Sequence, residues 1–297
     1  MTDLLRPDQI EGYSPNLTNL IVNGDFEIWQ RGNGPFVSPL FTADEWYAYG
    51  KIGGSDVVTV SRATGAKFGN YCLQSVYAIG GVEGQIQQGV EGWKSLIGFP
   101  ITFSVWVKTS TAGVSVDIVY NMIDGTHGAS GPTASHSGSG EWELLTAVLN
   151  PVPAGVLATP GLPHNTGIAC MVISSQSGTA LIDGASLVVG RFPYGVDFNP
   201  VSPAEDWTRC QRYYTKMTGM QFDRSMNVAG ISRETQPFQQ AMAAVPALTI
   251  SNLVTVPPLS TVTAIPLDTL MWKLELGIGP NPVGPFNYTF DFEAEVA

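Results

Sequence analysis

The sequence predicts an all-β protein, a β-sandwich followed by a smaller C-terminal β-domain. Three observations carry this. Short alternating runs recur between turn signals built from Gly, Pro, Asn and Asp. No segment sustains a 3.6-residue apolar period, so helices are expected to be few and short. Charged residues make up 13% of the 297 positions, against about 25% in typical soluble domains, while 33 glycines and 21 prolines supply turns.

Residues 23–32, NGDFEIWQRG, organise the first unit. Asn23 and Gly24 both tolerate positive φ and form a turn pair. The turn is expected to release the chain into a strand of Phe26, Ile28 and Trp29, broken again by the Gly- and Pro-containing stretch at 31–35. The expected partner is 179–189, TALIDGASLVV, the last strand-like run before a Pro-rich stretch. Pairing of first and last strands would close one sandwich over about 170 residues.

Between them the pattern predicts strands at 57–61, 71–78, 85–90, 101–108, 114–122, 141–149 and 167–174. The run at 101–108 alternates cleanly, with Ile101, Phe103, Val105 and Val107 facing one way and Thr102, Ser104, Trp106 and Lys108 the other. Residues 124–140, rich in Gly and Ser, read as a long surface loop, the setting in which functional or mobile loops occur. The domain boundaries follow: 1–16 a polar N-terminal peptide, 17–192 the sandwich, 193–204 a Pro-rich linker and 205–297 the second unit. A short helix is expected to start around Pro203. Strand-like runs then fall at 207–217, 226–231, 238–242, 247–250, 270–278 and 286–297. The last, FNYTFDFEAEVA, sets Phe286, Tyr288, Phe290 and Phe292 against Asn287, Thr289, Asp291 and Glu293.

Composition also excludes. Twenty-five acids against 14 bases give a net charge of −11, which opposes nucleic acid and anionic membranes as partners. No run of about 18 apolar residues is present to span a bilayer, and the acidic N-terminus is unlike a signal peptide. Folding in a cytoplasm is expected, with Cys72, Cys170 and Cys210 as buried reduced thiols. Nucleophile-elbow, zincin, Walker and dinucleotide motifs are all missing, so no enzyme is predicted. His127, His136 and His164 sit in loop-like stretches and read as solvated.

NGDFEIWQRG, with ADEWYAYG at 43–50 and TFSVWVK at 102–108, resembles the carbohydrate-binding-module-like jelly roll of tailed-bacteriophage virion proteins. TRCQRYYTKM at 208–217 resembles the signature opening the C-terminal β-domain of many of them. The resemblance implies a non-enzymatic structural protein of the virion, made in a host cytoplasm, as tail or head fibre, baseplate component or capsid decoration. It further implies a homotrimer, docking to other virion proteins through 1–16, and contact with host surface polysaccharide. The alternatives are a carbohydrate-binding receptor-recognition module and a polysaccharide depolymerase, for which Glu141 and Glu143 would be the acids to examine.

Site residues follow from the same likeness. Trp106 sits on the polar face of its strand, unlike Trp46 and Trp142, for which core packing is the stronger account. With Ser104 and Lys108, and with Asp117 and Asn121 on the next strand, it matches a face on which sugar rings stack. Asp25 and Glu27 match acidic positions of the family's first strand and Asp183 one of the last, where a structural Ca²⁺ is held by hard oxygen ligands. The same acids would otherwise hydrogen-bond turn backbones. Arg209, Arg212, Tyr213 and Tyr214 suit an interface, since guanidinium groups stack on rings and bridge carboxylates, or equally packing within the domain.

Overall fold

Alternation at 101–108 becomes a strand whose inward residues Ile101, Phe103, Val105 and Val107 are all fully buried. Each such burial is worth about 1.5–3 kcal/mol. The computed structural model describes residues 17–295 apart from 51–56, 81, 123, 132–134, 159–162, 164–165, 226–230, 238–241, 243–245, 257–258, 268–270 and 279–284. The peptide at 1–16, His164 and most of the strand-like runs at 226–231 and 238–242 lie outside the described residues.

The first unit contains β1 (Phe36–Val37), β2 (Leu40–Phe41), β3 (Tyr47–Gly50), β4 (Val57–Ala63), β5 (Cys72–Ala78), β6 (Gly84–Gly89), β7 (Ile101–Thr109), β8 (Ser115–Asn121), β9 (His127–Ala129), β10 (Trp142–Leu149), β11 (Ile168–Ser174) and β12 (Gly178–Val189). They form two antiparallel six-stranded sheets, ordered β1-β4-β5-β12-β7-β10 and β2-β3-β6-β11-β8-β9. Between the sheets lies one apolar core that includes Phe26, Trp46, Phe103, Ile118, Val172 and Leu187. From β6 to β12, leaving aside short β9, successive strands alternate between the sheets.

A helix, α1 (Pro203–Cys210), begins where the sequence predicts, capped by the Ser202 side chain accepting from the Glu205 amide. The second unit follows as β13 (Tyr214–Ser225), β14 (Ile231–Pro237), β15 (Ala247–Val256), β16 (Leu259–Pro266), β17 (Met271–Ile278) and β18 (Pro285–Glu295). These build two three-stranded antiparallel sheets, β13-β18-β15 and β14-β17-β16. The alternating run at the C-terminus is the central strand of the first.

Three expectations are corrected. NGDFEIWQRG is not a strand: Asn23 and Phe26 take φ of 51° and 54°, and the segment turns in place. Its expected partner, β12, instead pairs with β5 and β7. Past a bulge at Asp183–Ser186, β12 takes up the irregular N-terminal segment, with the Leu20 amide donating to Leu187 O and the Ala185 amide to Gly24 O. A Cβ at Gly24 would come within 2.3 Å of the Ala185 carbonyl oxygen, so this approach requires glycine. Second, the Gly/Ser-rich stretch at 124–140 contains β9 and a buried His136. That imidazole's Nε2 lies 3.1 Å from both Val107 O and Glu141 O, and its Nδ1 accepts from the Gly138 amide. Third, the start of the Pro-rich stretch at 193–204 is laid along β7. Thr102 Oγ1 donates to Gly190 O and accepts from the Phe192 amide, and Ser104 Oγ accepts from the Val196 amide.

Candidate functional site

The predicted saccharide residues separate onto the two outer faces of the sandwich. Ser104, Trp106 and Lys108 stand on the outer face of the β7 sheet, as the alternation predicts. Residues 190–199 cover the first two: Trp106 Nε1 donates to Asp197 at 3.2 Å, and Lys67 Nζ lies 3.7 Å from the Trp106 ring centroid. Trp106 is therefore half-buried under its own chain. Trp46 is fully buried, whereas half-buried Trp142 pairs across from Lys108 and shares its outward face, so core packing does not account for it.

Asp117 and Asn121 belong to β8, in the opposite sheet, and cannot complete the Trp106 face. They help form a different one. Register aligns Tyr47, Gln87, Met171 and Asp117 in one row across β3, β6, β11 and β8, with Tyr49, Gln85, Ile173 and Ser115 in the next. Tyr47 meets Phe41 edge-on at 5.0 Å between centroids. Burial, and then neighbouring Tyr49, pushes the Tyr47 phenol pKa up. Asp117 is held in place by the Ser130 hydroxyl (2.8 Å) and the Gly131 amide (2.9 Å), while Asn121 Oδ1 meets His127 Nδ1. Gln87 is only 2% exposed, and its Oε1 has no hydrogen-bond partner among the described residues. A buried acceptor left so costs about 1–3 kcal/mol. The face thus presents part-exposed Tyr47, Tyr49, Gln85, Ser115 and Ile173, while Gln87 and Met171 are buried beneath it.

Sequence reasoning missed Tyr47, Tyr49, Gln85 and Gln87. The signal was there in ADEWYAYG and QIQQGV, but β6 alternates weakly because Gln88 also points inward. Its side chain accepts from the Val22 amide and donates to Val22 O, which makes a core-facing glutamine tolerable.

Asp25, Glu27 and Asp183 do come together, in another role. Asp183 Oδ2 accepts from the Lys67 and Phe68 amides at 2.7 and 2.8 Å and its Oδ1 from Gly184, while Glu27 Oε1 accepts from the Asn70 and Tyr71 amides. Asp25 Oδ1 accepts from the Glu27 amide. These oxygens face N–H donors, and among the described residues no group of three or more His, Cys, Asp or Glu side chains is arranged to hold a metal ion. These hydrogen bonds give the three acids a structural role without a cation. Asp183 pins 67–68 to β12, and Glu27 ties 70–71 to the N-terminal segment. Burial raises the Asp183 pKa to about 7, against the amide hydrogen bonds that lower it and with a further push from Asp25.

The arginine–tyrosine block joins α1 and β13 to the first unit within one chain. Arg209 donates to Leu20 O (2.9 Å) and Asn19 O, Arg212 pairs with Glu91, and Arg31 lies 4.0 Å over the Tyr214 ring. Gln30 Nε2 donates to Tyr214 O, and Cys210 packs with Val22 and Ile28. Tyr213 is buried beside Glu91 and Glu45. All three cysteines are free and buried, as predicted.

No protein-family model matches the sequence, and no curated protein matches it. Solved structures do. The CBM22-1 xylan-binding domain of Paenibacillus barcinonensis Xyn10C is similar at 14% identity, over 60% of this chain and 99% of that one, with a TM-score of 0.40. TmCBM61, solved with β-1,4-galactotriose, matches at 17% identity over 58% and 99%, with a TM-score of 0.31. The enzymatically active domain of bacteriophage CBA120 tailspike protein 4 matches at 13% identity over 58% and 21%, with a TM-score of 0.35. At such scores the reading of the site rests on this chain's own residues.

Proposed function

We propose that this protein is a non-catalytic structural component of a tailed-phage particle whose first sandwich contacts host surface saccharide through the outer face of the β3-β6-β11-β8 sheet. The observation that carries the saccharide reading is the pair of part-exposed tyrosines, Tyr47 and Tyr49, with Gln85 paired across from Tyr49 on the same face. Their rings suit the stacking of a sugar ring, and the Gln85 carboxamide suits its hydroxyls. The virion setting is supported by the sequence likeness of 23–32, 43–50, 102–108 and 208–217, and with it go attachment through 1–16 and a homotrimer joined through the second unit. A non-catalytic role is supported at Glu143. Hydrogen bonds from Ser137 and Ser139 hold its pKa down to about 2, which suits neither a general acid nor an uncommitted base.

Titration against soluble host-type polysaccharides tests this. Saturable binding is expected, falling at least about tenfold in Tyr47→Ala and in Tyr49→Ala, each the loss of a stacking ring. No binding to any polysaccharide, or binding that both variants retain, overturns the saccharide reading. Sedimentation as a compact monomer at micromolar concentration overturns the trimer.

A further inference from the structure

β9 and β10 are the last strands of their respective sheets, on the same side of the sandwich. Between Ala129 and Ser130 on one side, and Val148, Asn150, Arg191 and the neighbouring Pro193 on the other, lies a cleft of about 410 Å³. This is within the size of small-ligand sites. It lies at the far edge of the β9 sheet from the Tyr47–Tyr49 face, since β6, β11 and β8 separate β3 from β9, and β10 belongs to the other sheet.

Its charge is unusual for this molecule. The chain carries a net −11, and several of its basic groups are engaged. Arg31 pairs with Asp44, Arg212 with Glu91, Arg209 with main-chain carbonyls, and Lys67 lies over Trp106. Arg191 is exposed at the cleft and makes no hydrogen bond, ion pair or ring contact among the described residues. Asn150, also exposed, adds a carboxamide that both donates and accepts. Ser130 is not available to a ligand, since its hydroxyl donates to Asp117 and accepts from the Ile118 amide. The cleft therefore offers one planar cation, one amide and an apolar wall of Ala129, Val148 and Pro193.

The geometry points to this cleft as a binding site for a carboxylate-bearing sugar. The guanidinium takes the carboxylate through two parallel N–H···O bonds, Asn150 takes a ring hydroxyl, and the apolar wall takes the C–H face. Arg191 would then select acidic residues in a glycan, independently of the neutral ring contacts assigned to the Tyr47 face.

The test titrates the full chain with glucuronate, glucose and acetate, followed by NMR. Glucuronate is expected to bind, glucose and acetate at least about tenfold more weakly, because each lacks half of the complementary set. Arg191→Ala should lose glucuronate binding while its melting temperature stays that of the wild type, and Arg191→Lys should recover it only in part. Tyr47→Ala should leave glucuronate binding intact. Binding retained in Arg191→Ala, or lost in Tyr47→Ala, would place the sugar elsewhere and overturn the site. Acetate binding as tightly as glucuronate would overturn the sugar and leave only a carboxylate contact, such as a peptide terminus makes.

Discussion

Asn23 is fully buried, yet every polar atom of it is in use. Its amide donates to Asp206, its carbonyl accepts from Trp46 Nε1, and its side chain accepts from the Ile28 amide while donating to Ile28 O and Asp44 O. This one side chain closes the turn of NGDFEIWQRG and places Phe26 against Trp46, 4.9 Å between ring centroids. Asn23→Ala strands three main-chain groups, so a loss of about 3 kcal/mol is expected in urea unfolding. A loss under 1 kcal/mol would show that the turn forms without it. Trp106 tests a different point. A fully buried aromatic costs about 3–5 kcal/mol when cut to alanine, and a half-buried one covered by 190–199 should cost roughly 2 kcal/mol. Saccharide binding should survive in Trp106→Ala, because its strand lies in the other sheet. Saccharide binding abolished by that substitution would return the site to the face first expected from the sequence.

At the scale of elements, the stretch at 67–71 separates two uses of acids. If Asp183 and Glu27 serve as acceptors for its amides, excess chelator leaves the melting temperature unchanged, while Asp183→Ala lowers it by several degrees. A drop with chelator alone would restore a cation there. What could be read from sequence follows from what is local. The strand β7 was legible because one face is wholly apolar and the other is not, and α1 because Ser202 and Pro203 announce a helix start. In NGDFEIWQRG the turn at Asn23-Gly24 was legible. That the chain turns again at Phe26 instead of running on as a strand was not, since that φ of 54° goes with a full burial against Trp46 that no local pattern encodes. Strands β1, β2, β3, β9, β14 and β16 were not resolved, the first two being only two residues long and β14 falling between the runs expected at 226–231 and 238–242. The pairing of Asp117 with Trp106 failed for a topological reason. Successive strands alternate between the sheets, so neighbours in sequence face opposite sides, and no local pattern encodes that. Gln87 joined Tyr47 and Met171 only once the order β3-β6-β11-β8 was known.

For the whole molecule, buried acids set the response to pH. Burial raises Asp44 to about 7, opposed by the charge of Arg31 and the Gln30 hydrogen bond, raises Asp206 to about 6 and raises Asp183 to about 7. Asp25 moves the same way, again chiefly by burial. In the unfolded chain each titrates near 3.9. Between about pH 4 and 7 the folded state therefore binds more protons than the unfolded state, and stability must fall as pH rises through that window. Their contribution is complete below about pH 4 and gone above about pH 7. Glu143, shifted down to about 2, acts at lower pH and leaves this window untouched. The net −11 works in the same direction, since added protons relieve self-repulsion. The melting temperature should be higher at pH 5 than at pH 8, with most of the change between pH 5 and 7. Asp206→Asn, which keeps an acceptor for the Asn23 amide, should make the slope shallower. A melting temperature that climbs from pH 5 to pH 8 would mean that these carboxylates are stabilised as anions, with the amides of 67–71 and Arg31 outweighing burial.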